Sequence, residues 1–381
     1  MTKIKQVFKL LVLLISITSC VDMYWPDLDK YENLLVVDGL LTNNSNQVVV
    51  KLSRSSPVDS DILKPLSNGE LFFTDEDEIV THLTETEPGT YLTVDSSFHG
   101  LVGKEYQLHI KLPNGENYIS DVCKLPVPTP IESVYGILES PYQPHSNHDL
   151  PGVQFFVENK SVSNDTSYYL WKMYQTYKYR STFDIDLTWE GELIVNPDAT
   201  ALRTCWLTSK VNKLVISSTK HLAQNSVNKF PLHFVSTNTK TLSIRYSLLV
   251  QQLTISQSTF DFYDAIDEQD AAQGNMWSEQ PVQILGNIHN TDNPDEPVLG
   301  YFIVAGSDEM RIFLDRPQLL FSYIECEPDF EGMRFIEYEP QSMWPIYIDD
   351  IMFLGLARAA YKSCFDCRLS GGSLTPPDFW E

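Results

Sequence analysis

The chain has 381 residues, with 51 Asp and Glu against 27 Lys and Arg, a formal charge of −24. Its 43% apolar and 20% charged content excludes a disordered chain and a multi-span membrane protein. Such an acidic chain has no overall basic footprint for nucleic acid and no charge-driven hold on anionic lipid.

Residues 1–19 read as a lipoprotein signal peptide. Lys3, Lys5 and Lys9 make a positive start. Leu10 to Ile17 is a mostly apolar run, far short of the ~20 residues that a spanning helix needs. Ile17-Thr18-Ser19-Cys20 follows the pattern of a bacterial lipobox, in which the Cys20 thiol receives a diacylglycerol and becomes the first mature residue. Removing the leader takes away three lysines and no acids, so the formal charge moves from −24 to −27. No later segment has 18 consecutive apolar residues, which makes the lipid the expected membrane anchor. Residues 20–32, interrupted by Pro26, read as a tether.

A strand-rich block is expected over residues 33–127. Leu34 to Val37 leads into Asp38-Gly39, and Gln47 to Leu52, Glu70 to Thr74, Ile79 to Leu83 and Tyr91 to Val94 follow. Tyr106 to Leu112 alternates apolar and polar, as a half-buried strand does, and meets the turn signal Pro113-Asn114-Gly115 before Tyr118 to Ser120 returns. About seven short strands separated by turn chemistry suit an immunoglobulin-like β-sandwich. Leu125-Pro-Val-Pro-Thr-Pro130 marks a boundary, because alternating prolines favour a stiff, extended connector.

Residues 131–381 are expected to form a larger strand-rich β domain with one inserted helix. Strands are predicted at Phe155 to Val157, Tyr168 to Tyr179, Phe183 to Trp189, Lys213 to Ser217, Leu242 to Thr254, Tyr301 to Val304 and Met310 to Leu314. The helix is predicted over 259–273, capped by Ser256 or Ser258 and ended by Gly274. Phe262, Ala265 and Ile266 share its apolar face. The fold class is therefore mainly β.

With Cys20 lipidated, Cys123, Cys205, Cys326, Cys364 and Cys367 remain. Five is odd, so one thiol stays free within a monomer. Cys364-Phe-Asp-Cys367 is a single C-x-x-C with no βαβ context and no nearby His, which favours structural disulfides over redox or metal chemistry.

The sequence carries no G-x-S-x-G, H-E-x-x-H, G-x-x-x-x-G-K or G-x-G-x-x-G. No catalytic residue, metal or cofactor is expected. His145, His148 and Asp149 read as a solvated loop. Asp184 and Asp186 alternate with Phe183, Ile185 and Leu187, and Glu190 and Glu192 follow; a glycosidase needs paired carboxylates, but the same alternation describes a solvated strand face. Asp75 to Glu78 reads as a solvated turn. The run Tyr168 to Tyr179 places Tyr169, Trp171, Met173, Tyr177 and Tyr179 on one strand face and Tyr168, Leu170 and Tyr174 on the other, which implies burial between layers. Tyr177, Tyr179 and Trp189 are the candidates for ligand contact should those aromatics be exposed.

Five segments carry a family resemblance: the lipobox with Val36 to Asn43; Thr204-Cys205-Trp206 and the strand after it; Tyr246 to Leu253 running into the helix; Gln280 to Ile288 with Val298 to Phe302; and Cys364-Phe-Asp-Cys367-Arg368, Gly371-Gly372 and Pro377 to Trp380. The chain resembles the Bacteroidetes lipoprotein family catalogued as domain of unknown function 4249. The resemblance implies an outer-membrane lipoprotein, often encoded beside a TonB-dependent receptor, and offers no catalytic residues. It also implies Cys205, Cys326, Cys364 and Cys367 as the paired cysteines, with Cys123 left over. Because closing a long loop constrains the unfolded chain more, each tail cysteine is expected to reach a distant partner rather than its neighbour. The reading that follows is a non-enzymatic lipid-anchored accessory to a TonB-dependent receptor. Its competitors are a glycan- or protein-binding adhesin and a hydrolase built on Asp184 or Asp186.

Overall fold

The computed structural model describes residues 33–44, 48–56, 63–95, 97–140, 150–160, 165–222, 225–272, 283–323, 326–328, 341–351, 355–357 and 361–380. Cys20, the tether, the His145–Asp149 loop and Gly274 lie outside the described residues. The expected mainly β class is what the chain adopts.

The first block contributes β1 (Leu35–Thr42), β2 (Val49–Arg54), β3 (Lys64–Pro65), β4 (Glu70–Asp75), β5 (Val80–Glu87), β6 (Thr90–Thr93), β7 (Glu105–Lys111), β8 (Asn117–Ser120) and β9 (Cys123–Lys124). After the prolines come β10 (Ile131–Glu139), β11 (Gly152–Asn159), β12 (Tyr168–Arg180), β13 (Leu187–Trp189), β14 (Leu193–Val195), β15 (Thr204–Lys210), β16 (Ile216–Ser218), β17 (Phe230–Ser236) and β18 (Arg245–Ile255). Helix α1 (Gln257–Ala272) follows, then β19 (Ile288–Asn290), β20 (Leu299–Asp315), β21 (Ile346–Ile351) and β22 (Gly355–Ala357).

One long sheet runs β15-β12-β18-β20-β1-β2-β6-β5-β4-β7-β8-β19. Its N-terminal half turns one face inward. Val37, Val50, Leu71, Phe73, Tyr91, Leu108, Tyr118 and Phe302 all meet in one core, so this part of the sheet curls around its own apolar side chains. In the other half, β12, β18 and β20 are covered on one face by a three-stranded sheet, β10-β11-β17. Phe155, Val157 and Leu232 from that small sheet pack against Tyr169, Trp171, Met173, Leu248 and Val250. The opposite face carries Leu170, Leu253, Ile255, Tyr301 and Ile303, which pack under Phe260, Phe262 and Tyr263 of α1. The two apolar faces read from Tyr168 to Tyr179 are thus each buried against a different layer.

The strand ladder continues across the proline-rich connector. β1 pairs in parallel with β20, from Val36 opposite Leu299 to Thr42 opposite Ala305, and β8 pairs with β19. The connector is extended, as its prolines dictate, but it is pinned to the sheet. Thr129 N–H donates to Thr254 Oγ1 (3.0 Å), Gln252 Nε2 donates to the Thr129 carbonyl (2.7 Å) and Ile131 N–H donates to Asp308 Oδ2 (2.7 Å). Gln252 is fully buried yet satisfied, because its Oε1 also accepts from Asn159 Nδ2 and Trp171 Nε1.

Two glycines permit this crossing. Gly300 has φ +84°, and a Cβ there would lie 2.0 Å from the Val37 carbonyl oxygen. Gly306 lies against Pro126 and Pro128, where a Cβ would come within 2.6 Å of the Pro128 nitrogen. Asn287 completes the junction by donating Nδ2 to the Phe302 carbonyl (3.0 Å) and accepting the Phe302 N–H on Oδ1 (2.9 Å), as a strand partner would.

Several sequence expectations need correction. Met310 to Leu314 and Tyr301 to Val304 are one continuous strand, β20, rather than two. The strand expected from Phe183 to Trp189 is regular only over β13. Before it, Phe183 N–H goes to the Cys364 carbonyl and Ile185 N–H to the Ala199 carbonyl, so the alternation serves the tail and a loop rather than a ladder. β3, β9, β10, β14, β15, β17, β19, β21 and β22 were not anticipated as strands. The helix begins two residues earlier than expected, and Ser256 is its cap, accepting the Thr259 N–H on Oγ (3.1 Å).

The C-terminal tail has short helical turns at Lys362–Cys364 and Cys367–Ser370. Disulfides join Cys205 to Cys367 and Cys326 to Cys364, and Cys123 is free. The expectation that each tail cysteine reaches a distant partner therefore holds. Tyr179 Oη donates to the Cys367 carbonyl (2.5 Å), Ser181 Oγ donates to the Phe365 carbonyl (2.6 Å), and Trp206 and Ser373 exchange two backbone hydrogen bonds. The Arg311 guanidinium lies 3.5 Å over the Phe379 ring, and Trp380 sets its edge on Trp206 and Phe313.

Candidate functional site

A cavity of about 800 Å³ opens between α1 and the central sheet. Val36 to Asp38 of β1 and Leu299 to Tyr301 of β20 form one wall, and Leu170 to Lys172 of β12 form another. Lys210 at the end of β15 and residues 211–214 after it close the side, while Phe262, Tyr263, Ile266 and Gln269 of α1, with Gln283 and Ile284, make the roof. Its size falls within the usual range for small-molecule sites. Backbone geometry builds it: Gly300 brings β20 against Val37, and the pleat sends Leu170 and Lys172 to the face opposite Trp171.

The lining is apolar apart from a few groups. Among its ionisable side chains are three lysines, Lys172, Lys210 and Lys213, against one carboxylate, Asp38. Lys213 is engaged, its Nζ donating to the Leu232 carbonyl (2.9 Å). Lys172 is different. Among the described residues its ammonium has no hydrogen-bond or ion-pair partner, and burial lowers its pKa; Asp38 opposes that shift and Lys210 adds to it. The Tyr263 hydroxyl also has no hydrogen-bond partner among the described residues, and burial, then Asp38 and Tyr301, push its pKa well up. The ring of Tyr263 is held edge-on by Phe262 and tilted against Tyr301. A cation and a hydroxyl donor thus line one largely apolar chamber, each fixed by a regular element.

The residues singled out from sequence lie elsewhere. Tyr179 is buried and spent on the tail, and Tyr177 is half-buried between two apolar clusters. Trp189 packs edge-on to Trp344 at 6.3 Å between ring centroids, near the exposed strand β14. The structure does not bring Tyr177, Tyr179 and Trp189 to one exposed surface.

Asp184 forms a 2.6 Å ion pair with Arg203, while its N–H donates to Asp349 Oδ2 (2.9 Å). Asp186 Oδ2 accepts the Asp350 N–H (2.8 Å). The pKa of Asp349 is raised, by burial first, with Asp186 and Asp184 adding to it. Both sequence candidates are thus local hydrogen-bonding acceptors rather than neighbours on a solvated strand face. Asp75 closes the β4–β5 turn by accepting the Asp77 and Ile79 N–H groups, and Lys104 bridges Asp75 and Asp77. Among the described residues, no group of three His, Cys, Asp or Glu is placed to hold a metal ion.

Sequence reasoning passed over Lys172 and Tyr263. A signal was present: Lys172 interrupts a face otherwise formed by Tyr168, Leu170 and Tyr174, in a strand apolar on both sides. Asp38 interrupts β1 in the same way.

The chain belongs to the family described as a domain of unknown function, DUF4249, whose model matches residues 21–311. That span holds both partners of the β1–β20 pair and all of the cavity lining named above. No curated protein matches the chain. Among solved structures it is similar to a DUF4785 family protein from Legionella pneumophila, at 9% identity, over 60% of this chain and 54% of that one, with a TM-score of 0.19. The match spans about half of that protein, and at this score the likeness carries no argument.

Proposed function

We propose that this chain is a non-catalytic binding protein of the cell envelope, held at the outer membrane by a lipid on Cys20, where it serves a TonB-dependent receptor. The observation that carries the binding reading is the chamber between α1 and the central sheet. Two of its walls and most of its roof are regular elements, and it presents isolated polar groups in an apolar surround, as small-molecule sites do. The two disulfides favour an oxidising compartment outside the cytosol. The leader and lipobox supply the anchor, and anchoring raises the effective concentration of a membrane partner, so weak contacts suffice. The receptor itself comes from the family resemblance rather than from the geometry. The engagement of Asp184 by Arg203 argues against the hydrolase alternative.

Affinity purification from native membranes in mild detergent, repeated at high salt, tests the reading. A co-purifying TonB-dependent receptor is expected under the milder condition. Recovery of this chain alone under both conditions, with hydrolysis of a glycan or peptide panel that disappears in Asp184→Asn or Asp186→Asn, would establish the enzyme instead. Cys20→Ala is expected to block lipidation and leave unprocessed or soluble protein; unchanged membrane fractionation with normal processing would overturn the lipid anchor.

A further inference from the structure

We infer that the chamber under α1 binds an elongated apolar molecule carrying one carboxylate, with the carboxylate on Lys172 and the Tyr263 hydroxyl. The inference rests on the reading of this chamber as a binding site and adds the chemical class of what fills it.

The argument begins with desolvation. A lysine ammonium taken from water without a partner is costly, and the cost falls when an anion joins it in the same low-dielectric space. Lys172 is in that position: half-buried at the centre of β12 and unpartnered among the described residues. A neutral apolar ligand would complete its desolvation with no compensation. A cationic ligand would add repulsion from Lys172 and Lys210. A carboxylate gives the ammonium a charge-assisted hydrogen bond and accepts a second from Tyr263.

The charge balance agrees. The ionisable lining, three lysines to one aspartate, is positive in a chain whose formal charge is −24. Asp38 lies exposed, on the side of the chamber formed by β1, and discourages a second anionic group there. The other lining side chains include Val36, Leu170, Phe262, Ile266 and Leu299, which suit a hydrocarbon body, with Asn212, Gln269 and Gln283 as neutral polar groups.

Equilibrium dialysis of the full chain against labelled dodecanoate, 1-dodecanol and dodecylamine, each below its aggregation threshold, tests the inference. Dodecanoate is expected to bind saturably, one molecule per chain, roughly tenfold or more tighter than dodecanol, the worth of one charge-assisted hydrogen bond. Dodecylamine is expected to bind more weakly than the alcohol. Lys172→Met, which keeps the length of the side chain, should bring the acid down to the affinity of the alcohol and leave the alcohol unchanged or improved. Tyr263→Phe should weaken the acid by about three- to tenfold and the alcohol by less, since only the acid loses a charge-assisted hydrogen bond; this second variant keeps the test open should the first fail to fold. Equal affinity for acid and alcohol, preference for the amine, or an acid affinity unmoved by Lys172→Met would overturn the carboxylate assignment while leaving the chamber a binding site. No saturable binding of any of the three would overturn the chamber as an amphiphile site as well. Receptor co-purification is read independently of all these outcomes.

Discussion

The layered half of the molecule and its C-terminal tail are held by different physics. In the layers, β12 alternates side chains between two apolar cores, and Trp171 is buried with its indole N–H on Gln252 and its ring stacked on Phe230. Stability there comes from apolar area removed from water and from a satisfied polar network. The tail has little regular structure. It is bound by two disulfides, by side-chain hydrogen bonds to its carbonyls and by aromatic contacts at Phe379 and Trp380. Periodicity writes the first kind of order into the sequence, whereas the second depends on partners far away along the chain.

Trp171→Ala is the strongest way to break the layered half. It removes a stacked ring and leaves Gln252 with one partner fewer, and it is expected to cost about 3–5 kcal/mol in urea unfolding. Replacing Cys205 and Cys367 together with Ser should cost about 2–5 kcal/mol, near the top of that range because the bridge spans a sequence separation of 162. Hydrogen exchange sharpens the contrast. In the reduced protein, amides of 361–380 should exchange faster while those of β12 and β18 stay protected; equal loss of protection in both regions would show that the tail supports the layers as well.

The third way uses acid. Burial first, then Lys213, lowers the His233 pKa from its ordinary 6.5 to about 4. Between those values the unfolded chain binds more protons than the folded one. The stability held by neutral His233 is therefore fully present above pH 6.5 and is lost as pH falls towards 4, by about 3 kcal/mol at most. His233→Gln should flatten that part of the stability–pH curve. Ser256→Ala should cost about 1 kcal/mol, since it removes the cap of α1 and nothing from either core.

The legible parts were those with a clear strand signature. β7 could be read from its alternation, and β12 and β18 from long apolar and aromatic runs buried on both faces. Phe183 to Leu187 alternates just as well and misled, because its backbone partners are Cys364 and Ala199, which no local pattern announces. β20 looked like two strands because Gly306, Ser307, Asp308 and Glu309 break its apolar character. Gly306 is there to admit Pro126 and Pro128, Ser307 N–H donates to Asn43 Oδ1, and Asp308 holds Ile131. The chamber was hidden for a related reason: Lys172, Tyr263 and Gly300 are distant in sequence and meet only once α1 lies across the sheet.

The parallel pairing of β1 with β20 also sets a timetable for synthesis. β1 emerges early, and β2 soon covers one of its edges, but the strand that satisfies the other edge begins at Leu299. Until that stretch has been translated, the amides and carbonyls along this edge lack their final partner and can template pairing with another nascent chain. A product ending before Leu299 would keep that edge permanently, which makes such fragments prone to self-association rather than to folding.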